Sequence, residues 1–384
     1  VELLPHLPGG RSVTTDGQIL DFSLLKYQCL DCTLVQSDPS QTHRATTFSY
    51  ADNYAFYTRP FMREFEKRRY RRYADWVGSF LCRGQARSVL EIGCGEGWVL
   101  ELLRDAYRSV SFHGVEPSAT AAARANAAGL DVRCGYLEAS EIEVGSIDFA
   151  YSINVIEHVP DPIGFLDQIR RLLAPGGAAL VLCPCANVID PELLFADHLY
   201  SYSGENLRGI ARRAGFTEMI VQQGVEALYP FQALYCGGPA EIAASADTDS
   251  MIRWLPDRAL PSARRDYLRY WANLDQLLLE RLGNAGNAIC FGAGETVDLL
   301  RTYAPHAWRR VQALMIDRPP EARPNQADNA AGLPLRFTES GIDETVECIL
   351  LGVKPRHQRA LAARLSSFGK PVISWDDVIR EPFA

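Results

Sequence analysis

The sequence predicts an α/β protein: a Rossmann-like core with a doubly wound parallel sheet, a small cysteine-containing N-terminal piece, and a second C-terminal Rossmann-like α/β domain. Three observations predict it. Strand-like and helix-like runs alternate from 87 to about 236. The first strand of that stretch runs out into glycines, in EIGCGEG at 91–97, and a helix follows. The strand–glycine–helix pattern then recurs near the end, in NAICFGAGETVDLLRTYA at 287–304.

Within 87–236 the strands are expected at 88–93, 111–116, 147–154 and 178–184. The helices GWVLELLRDA, TAAARANAAG and IGFLDQIRRLLA lie between them. FTEMIVQQ and FQALYCG read as hairpin-like strands at the sheet edge. Residues 1–50 have few periodic apolar positions and read as short strands and turns. The expected domains are therefore a small piece over 1–50, a core over 51–236, a linker and long helix over 237–283, and an α/β domain over 284–384.

Composition narrows the function. The chain has 384 residues, 47% hydrophobic and 22% charged, with a formal net charge of −8. That balance argues against a nucleic-acid face. The cluster Arg63, Lys67, Arg68, Arg69, Arg71 and Arg72 reads as a solvated helix face. Long uncharged apolar runs are missing, so a membrane span is not expected. Ten cysteines scattered through apolar runs read as small buried thiols in a reducing cytoplasm. The expected partner is a small-molecule acceptor, and the expected state a monomer or homodimer.

The glycine turn suggests what is held. Gly93, Gly95 and Gly97 allow a sharp turn and close approach of a ligand to the backbone. Glu91 and Glu96 put two carboxylates at that turn, where they would repel a pyrophosphate and attract a cation. S-adenosylmethionine, with an amino-acid end and a sulfonium, fits better than a dinucleotide. Glu116 ends the second strand, where an acid accepts ribose hydroxyls.

EIGCGEG, then VEPS at 115–118, then YSINVIEHVPDPIGFLDQIRRLLAPGGAALVLCP at 151–184 closely resemble a class I S-adenosylmethionine-dependent methyltransferase. The resemblance implies that Glu91, Gly93, Cys94, Gly95 and Gly97 hold the methionine end, and that Glu116 with Pro117 holds the ribose. It places Cys134, Gly135 and Tyr136 near the adenine, and Ser152 and Asn154 near the methionine part. Pro175, Gly176 and Gly177 are expected to form the turn before the next strand.

A carbon acceptor needs a base to form an enolate. His158 and His198 lie in loops that open at the carboxyl ends of strands, where such sheets bind ligands. The wider order of parts looks like the bacterial nucleotide-sugar C-methyltransferases, which act on nucleotide-linked keto-sugars. YADNYAFYTRPF at 50–61 and FADHLYSYS at 195–203 stand where that family has an aromatic segment and a His-Glu-His-Leu-Ser-Tyr-Phe-Ser-like run. The implied roles are His198 as base, Asp197 orienting it, and Tyr54 or Tyr57 bonding the enolate oxygen. Asn154 and His158 agree with the family's Asn-Val-x-x-His pattern. Asp197 replaces a glutamate, and the first histidine of the run is absent. An N- or O-acceptor therefore stands as the alternative.

Cys29 and Cys32 have the spacing of half a structural zinc site. In the last domain, Gly292 and Gly294 with Asp317 imitate a dinucleotide site. A nicotinamide-dependent redox enzyme is thus the reading from another class. The resemblance gives that domain a packing or acceptor-binding role. Arg59 and Arg63 could meet an acceptor diphosphate.

Overall fold

A computed structural model describes residues 1–41, 64–81, 86–224, 228, 230–237, 257–317 and 333–376. Tyr54, Tyr57 and Arg59, with Arg63, lie outside them.

The chain divides into two units. The first comprises Val1–Glu2, Lys26–Asp190 and Asp197–Pro261. It begins with a hairpin, β1 (Lys26–Gln28) and β2 (Val35–Ser37), paired antiparallel. Helix α1 (Glu64–Leu81) follows. The core then runs β3 (Ser88–Ile92), α2 (Trp98–Ala106), β4 (Ser111–Glu116), α3 (Ala119–Ala127), β5 (Val132–Cys134), β6 (Ile147–Ile153), α4 (Pro162–Leu172) and β7 (Leu173–Pro184). The two-residue strand β8 (Tyr200–Ser201), α5 (Gly204–Arg213), β9 (Met219–Gln223) and β10 (Phe231–Gly237) complete it.

The seven-stranded sheet has the order β5-β4-β3-β6-β7-β10-β9. Pairings from β5 to β7 are parallel; β10 is antiparallel to both β7 and β9. This is the Rossmann-like fold expected, with the edge hairpin where FTEMIVQQ and FQALYCG placed it. The central strands are buried on both faces, as parallel sheets between helix layers must be. Strand order reverses between β3 and β6, which opens a crevice at their carboxyl ends.

Two details differ from the sequence reading. Val132–Cys134 adds a third strand to the β4 edge, too short to show a period. The 175–177 turn lies within β7, as a register shift between Leu173 and Ala178 with Gly176 at φ +81°.

The second unit comprises Leu3–Leu25, Pro191–Ala196 and Ser262–Ala384. Its sheet contains β11 (Ala288–Phe291), β12 (Val311–Ile316), β13 (Leu335–Phe337), β14 (Cys348–Leu351) and β15 (Val372–Ser374). All pairings are parallel, in the order β13-β12-β11-β14-β15. The expected long helix (Leu260–Leu282) lies in this unit from Ser262 onward. Buried Trp271 meets Trp375 and Tyr303 with ring centroids 5.0 and 6.2 Å apart. The expected 1–50 piece is likewise divided. Ala196 N donates to Val13 O inside the second unit, while 26–41 stays with the first. Among the described residues no helix is long and apolar enough to cross a membrane.

The β1–β2 hairpin is tied to the core through Asn206. Its Nδ2 donates to Cys32 O at 2.6 Å, while its Oδ1 accepts from Ser203 N in the α5 capping box. Asn206→Ala is expected to cost about 1–2 kcal/mol, read as a lowered melting midpoint.

Candidate active site

The turn after β3 is built on backbone that only glycine adopts cheaply. Gly93, Gly95 and Gly97 have φ of +72°, +54° and +75°. A Cβ at Gly93 would overlap Val155, and one at Gly97 would overlap Leu130. A Cβ at Gly95 would meet open space, so Gly95 is where a ligand can approach the chain. Gly93 N and Cys94 N both donate to Val115 O, at 2.8 and 3.3 Å, which binds the turn to β4.

Glu116 is the clamp. Its Oε2 accepts from Gly95 N at 2.7 Å and its Oε1 from Ser118 N at 2.8 Å. Ser118 in turn caps α3. Burial raises the Glu116 pKa, and the two amide donors pull against that rise. A carboxylate has about four acceptor positions, so two hydroxyls can still be received. The following residue is Pro117, as the VEPS run requires.

Glu91 and Glu96 do not form the exposed acidic mouth expected from the sequence. Arg124 of α3 neutralises Glu96 at 2.8 Å. Glu91 is only 4% exposed and accepts from Tyr151 Oη at 2.9 Å. Burial, with Glu116 nearby, pushes it up to about 8. Attraction for a cation therefore comes from a carboxyl that must first lose its proton. Cys94 is buried, and its thiol is pushed well above its usual range.

The rest of the crevice has capacity to spare. Ser152 Oγ and Asn154 Oδ1 are buried without a hydrogen-bond partner among the described residues. Asn154 holds φ +55°, its N–H on Leu182 O at 2.9 Å. Gly135, at φ +144°, faces open space, and Tyr136 beside it is 59% exposed. Unpaired buried polar atoms, an open glycine and an exposed ring past the second and third strands fit S-adenosylmethionine.

A second set of side chains gathers beyond Asn154. Glu157 and His158 lie on a short turn after β6, and Asp197 and His198 on the loop before β8; all four are buried. The His158 and His198 rings meet edge to face, centroids 4.8 Å apart. His158 Nδ1 bonds Asp197 O at 2.8 Å and lies 3.7 Å from the Asp197 carboxylate. A carbonyl only accepts, so His158 Nδ1 carries the proton. Asp197 thus reaches the imidazole pair through His158. Lys26, which bonds His198 O, and Glu157 were not singled out from the sequence. Lys26 carried no usable signal, because its partner lies 172 positions away.

Among the described residues, metal-ligating side chains come together in two places. Cys29 and Cys32 come together in the β1–β2 turn, where N–H groups of Cys32 and Asp31 hold the Cys29 thiol below its usual range. Among the described residues they gain no third ligand, so a four-coordinate zinc site is not completed. The one grouping of three there is Glu157, His158 and His198, with ligand atoms within 4.8 Å of one another. Its composition suits a divalent cation or a hydrogen-bonded acid–imidazole network equally.

In the second unit the charged groups around the imitation dinucleotide turn are paired with one another. Asp317 is held by Arg364 at 2.7 and 3.0 Å. Glu295 pairs with Lys354 at 2.6 Å, and Lys354 also reaches Glu192 at 3.3 Å.

Comparison with known proteins agrees with the fold. Residues 65–222 match a family model described as a methyltransferase domain. A probable S-adenosylmethionine-dependent methyltransferase of Mycolicibacterium smegmatis is 37% identical over 138 residues, covering 35% of this chain and 53% of the relative. A ubiquinone biosynthesis O-methyltransferase of Alkalilimnicola ehrlichii is 30% identical over 110 residues, covering 27% and 44%. The chain thus spans about half the length of these curated relatives. A methyltransferase structure from Thermotoga maritima, titled a possible histamine N-methyltransferase, covers 46% of this chain and all of its own at 23% identity, with a TM-score of 0.36.

Two outcomes follow from this geometry. Gly95→Ala should cost about 1–2 kcal/mol for a Cβ in the left-handed region and weaken S-adenosylhomocysteine binding, whereas Gly97→Ala should lower the melting midpoint further, because its Cβ also overlaps Leu130. Glu91 is protonated below about 8, and a cationic donor favours its charged form. Donor binding should therefore release a proton, and affinity should rise with pH towards 8. Calorimetry in buffers of different ionisation heat reads both, and Glu91→Gln should abolish the proton release.

Proposed function

We propose that this protein transfers a methyl group from S-adenosylmethionine to carbon of a small keto-sugar-like acceptor, of the nucleotide-linked kind, with His198 as general base. The observation that carries the reading is the buried His158–His198 pair, on the turn after β6 that Asn154 begins and on the loop before β8. Imidazole is the side chain suited to take a proton near neutral pH.

The residues divide the work. Gly95, Glu116, Ser152 and Asn154 bind the donor, and Tyr136 offers a ring face to its base. When bound, S-adenosylmethionine supplies an electrophilic methyl group. His198 takes the proton alpha to the acceptor carbonyl, and the C–H electron pair passes into an enolate. The enolate carbon then bonds the methyl group, and the pair of the broken carbon–sulfur bond stays on sulfur. His198 returns its proton to solvent. Asp197 and His158 keep the base in place, and burial of the cluster keeps water away.

The ubiquinone O-methyltransferase among the relatives supports a second reading, in which His198 takes a hydroxyl proton instead. The nicotinamide reading has less behind it, because Asp317, the acid it needs for a ribose, is paired with Arg364.

S-adenosylhomocysteine should raise the melting midpoint and NAD should leave it unchanged. In D₂O, with S-adenosylhomocysteine bound, the wild type should exchange the alpha proton of a nucleotide-linked keto-sugar, seen by NMR. His198→Ala should lose that exchange, with turnover down by about 10²–10⁴-fold, while donor affinity stays. Methylation without alpha exchange would favour the hydroxyl acceptor. Full turnover by His198→Ala would remove the base assignment.

A further inference from the structure

One buried cation has no part in the chemistry above. Lys26 opens β1 and is 2% exposed. Its Nζ donates to His198 O, and Ser37 Oγ donates to the same oxygen at 3.2 Å. The charge facing the ammonium is that of Asp197, which opposes the burial that brings Lys26 down to about 7. The neighbouring carbonyl, Asp197 O, is taken by His158 Nδ1 at 2.8 Å. Leu199 closes the segment. Its N–H reaches Glu157 O at 2.7 Å, and its carbonyl accepts from Ser37 N at 2.7 Å. Three successive residues are thus fixed through their backbone, with the His198 ring in the middle.

We propose that Lys26 is a positioning residue for His198: the β1–β2 hairpin uses its amine to lock the backbone of the base and set the orientation of the imidazole. The proposal rests on His198 being the base. Lys26 is not itself a base or a Schiff-base amine, because its nitrogen is turned onto a backbone carbonyl and shielded from solvent. An ammonium in such a place is costly unless hydrogen-bonded, and the clamp on His198 O supplies the bond. A neutral amine still donates, so the clamp persists when Lys26 loses its proton. Groups facing His198 come from four segments: Glu157 and His158 from the turn after β6, Lys26 from β1, Ser37 from β2, and Asp197 from its own loop. The hairpin carrying Cys29 and Cys32 thereby becomes part of the site's scaffold.

Lys26→Met keeps the length of the side chain and removes the donor. The ring ¹⁵N spectrum needs no acceptor and is read first. The His198 nitrogens should shift while those of exposed His113 stay. Turnover is read second. kcat should fall about 10- to 100-fold, with S-adenosylhomocysteine affinity and the melting midpoint near wild type. In a His198→Ala background the same substitution should cost no further activity, since a residue acting through another loses its effect when the other is gone. Should Lys26→Met not fold, Ser37→Ala removes the other donor to the same carbonyl and should shift the same ring signals by less. Wild-type His198 signals in whichever variant folds, or an undiminished effect of Lys26→Met without His198, would overturn the proposal. If the wild type methylates no keto-sugar, the functional reading fails, while the ring spectrum still decides the clamp.

Discussion

The donor crevice depends on one carboxylate. Glu116 receives Gly95 N with one oxygen and Ser118 N with the other. That pair of bonds ties the strained glycine turn to the start of α3 and fixes the distance between the first two strands' ends. Three alternate positive-φ glycines lose much backbone freedom when the turn forms, and these bonds offset part of that cost. The side chain proposed to meet the donor is thus also the one that holds the turn in shape.

The polar cluster beyond Asn154 works by a related economy. Its imidazoles are buried, yet their surroundings are supplied by backbone as much as by side chains: carbonyls of 197 and 198 and the N–H of 199 are all engaged. Such bonds resist the low dielectric that makes isolated buried polar groups costly. Orientation of the His198 imidazole is therefore a property of the loop, with contributions from segments far apart in sequence.

Local patterns carried most of the fold. Alternating apolar runs and the glycine turn located the core sheet, its edge hairpin and the second sheet, because each is a short-range signal. Glu116, Ser152, Asn154 and His158 could be placed for the same reason: each sits at the end of a recognisable strand or just after it, whereas His198 was placed by the run FADHLYSYS. The misreadings were long-range. Glu96 looked like an exposed acid until Arg124, on the next helix, met it, and Glu91 looked charged until burial against Tyr151 was known. The place of 3–25 with the last third of the chain, and Lys26 against His198, depend on contacts that no period or spacing encodes. Tyr54 and Tyr57 fall outside the described residues.

The second unit is stitched from three separated stretches: 3–25, 191–196 and 262–384. Its first stretch is made early and must wait for the second before Val13 O can receive Ala196 N. Neither unit can be excised by a single cut in the gene. Recombination that shuffles whole modules at one crossover would leave orphaned segments on both sides. The two units are for that reason expected to be inherited together, and a change in either lineage partner would have to arise by substitution rather than by exchange.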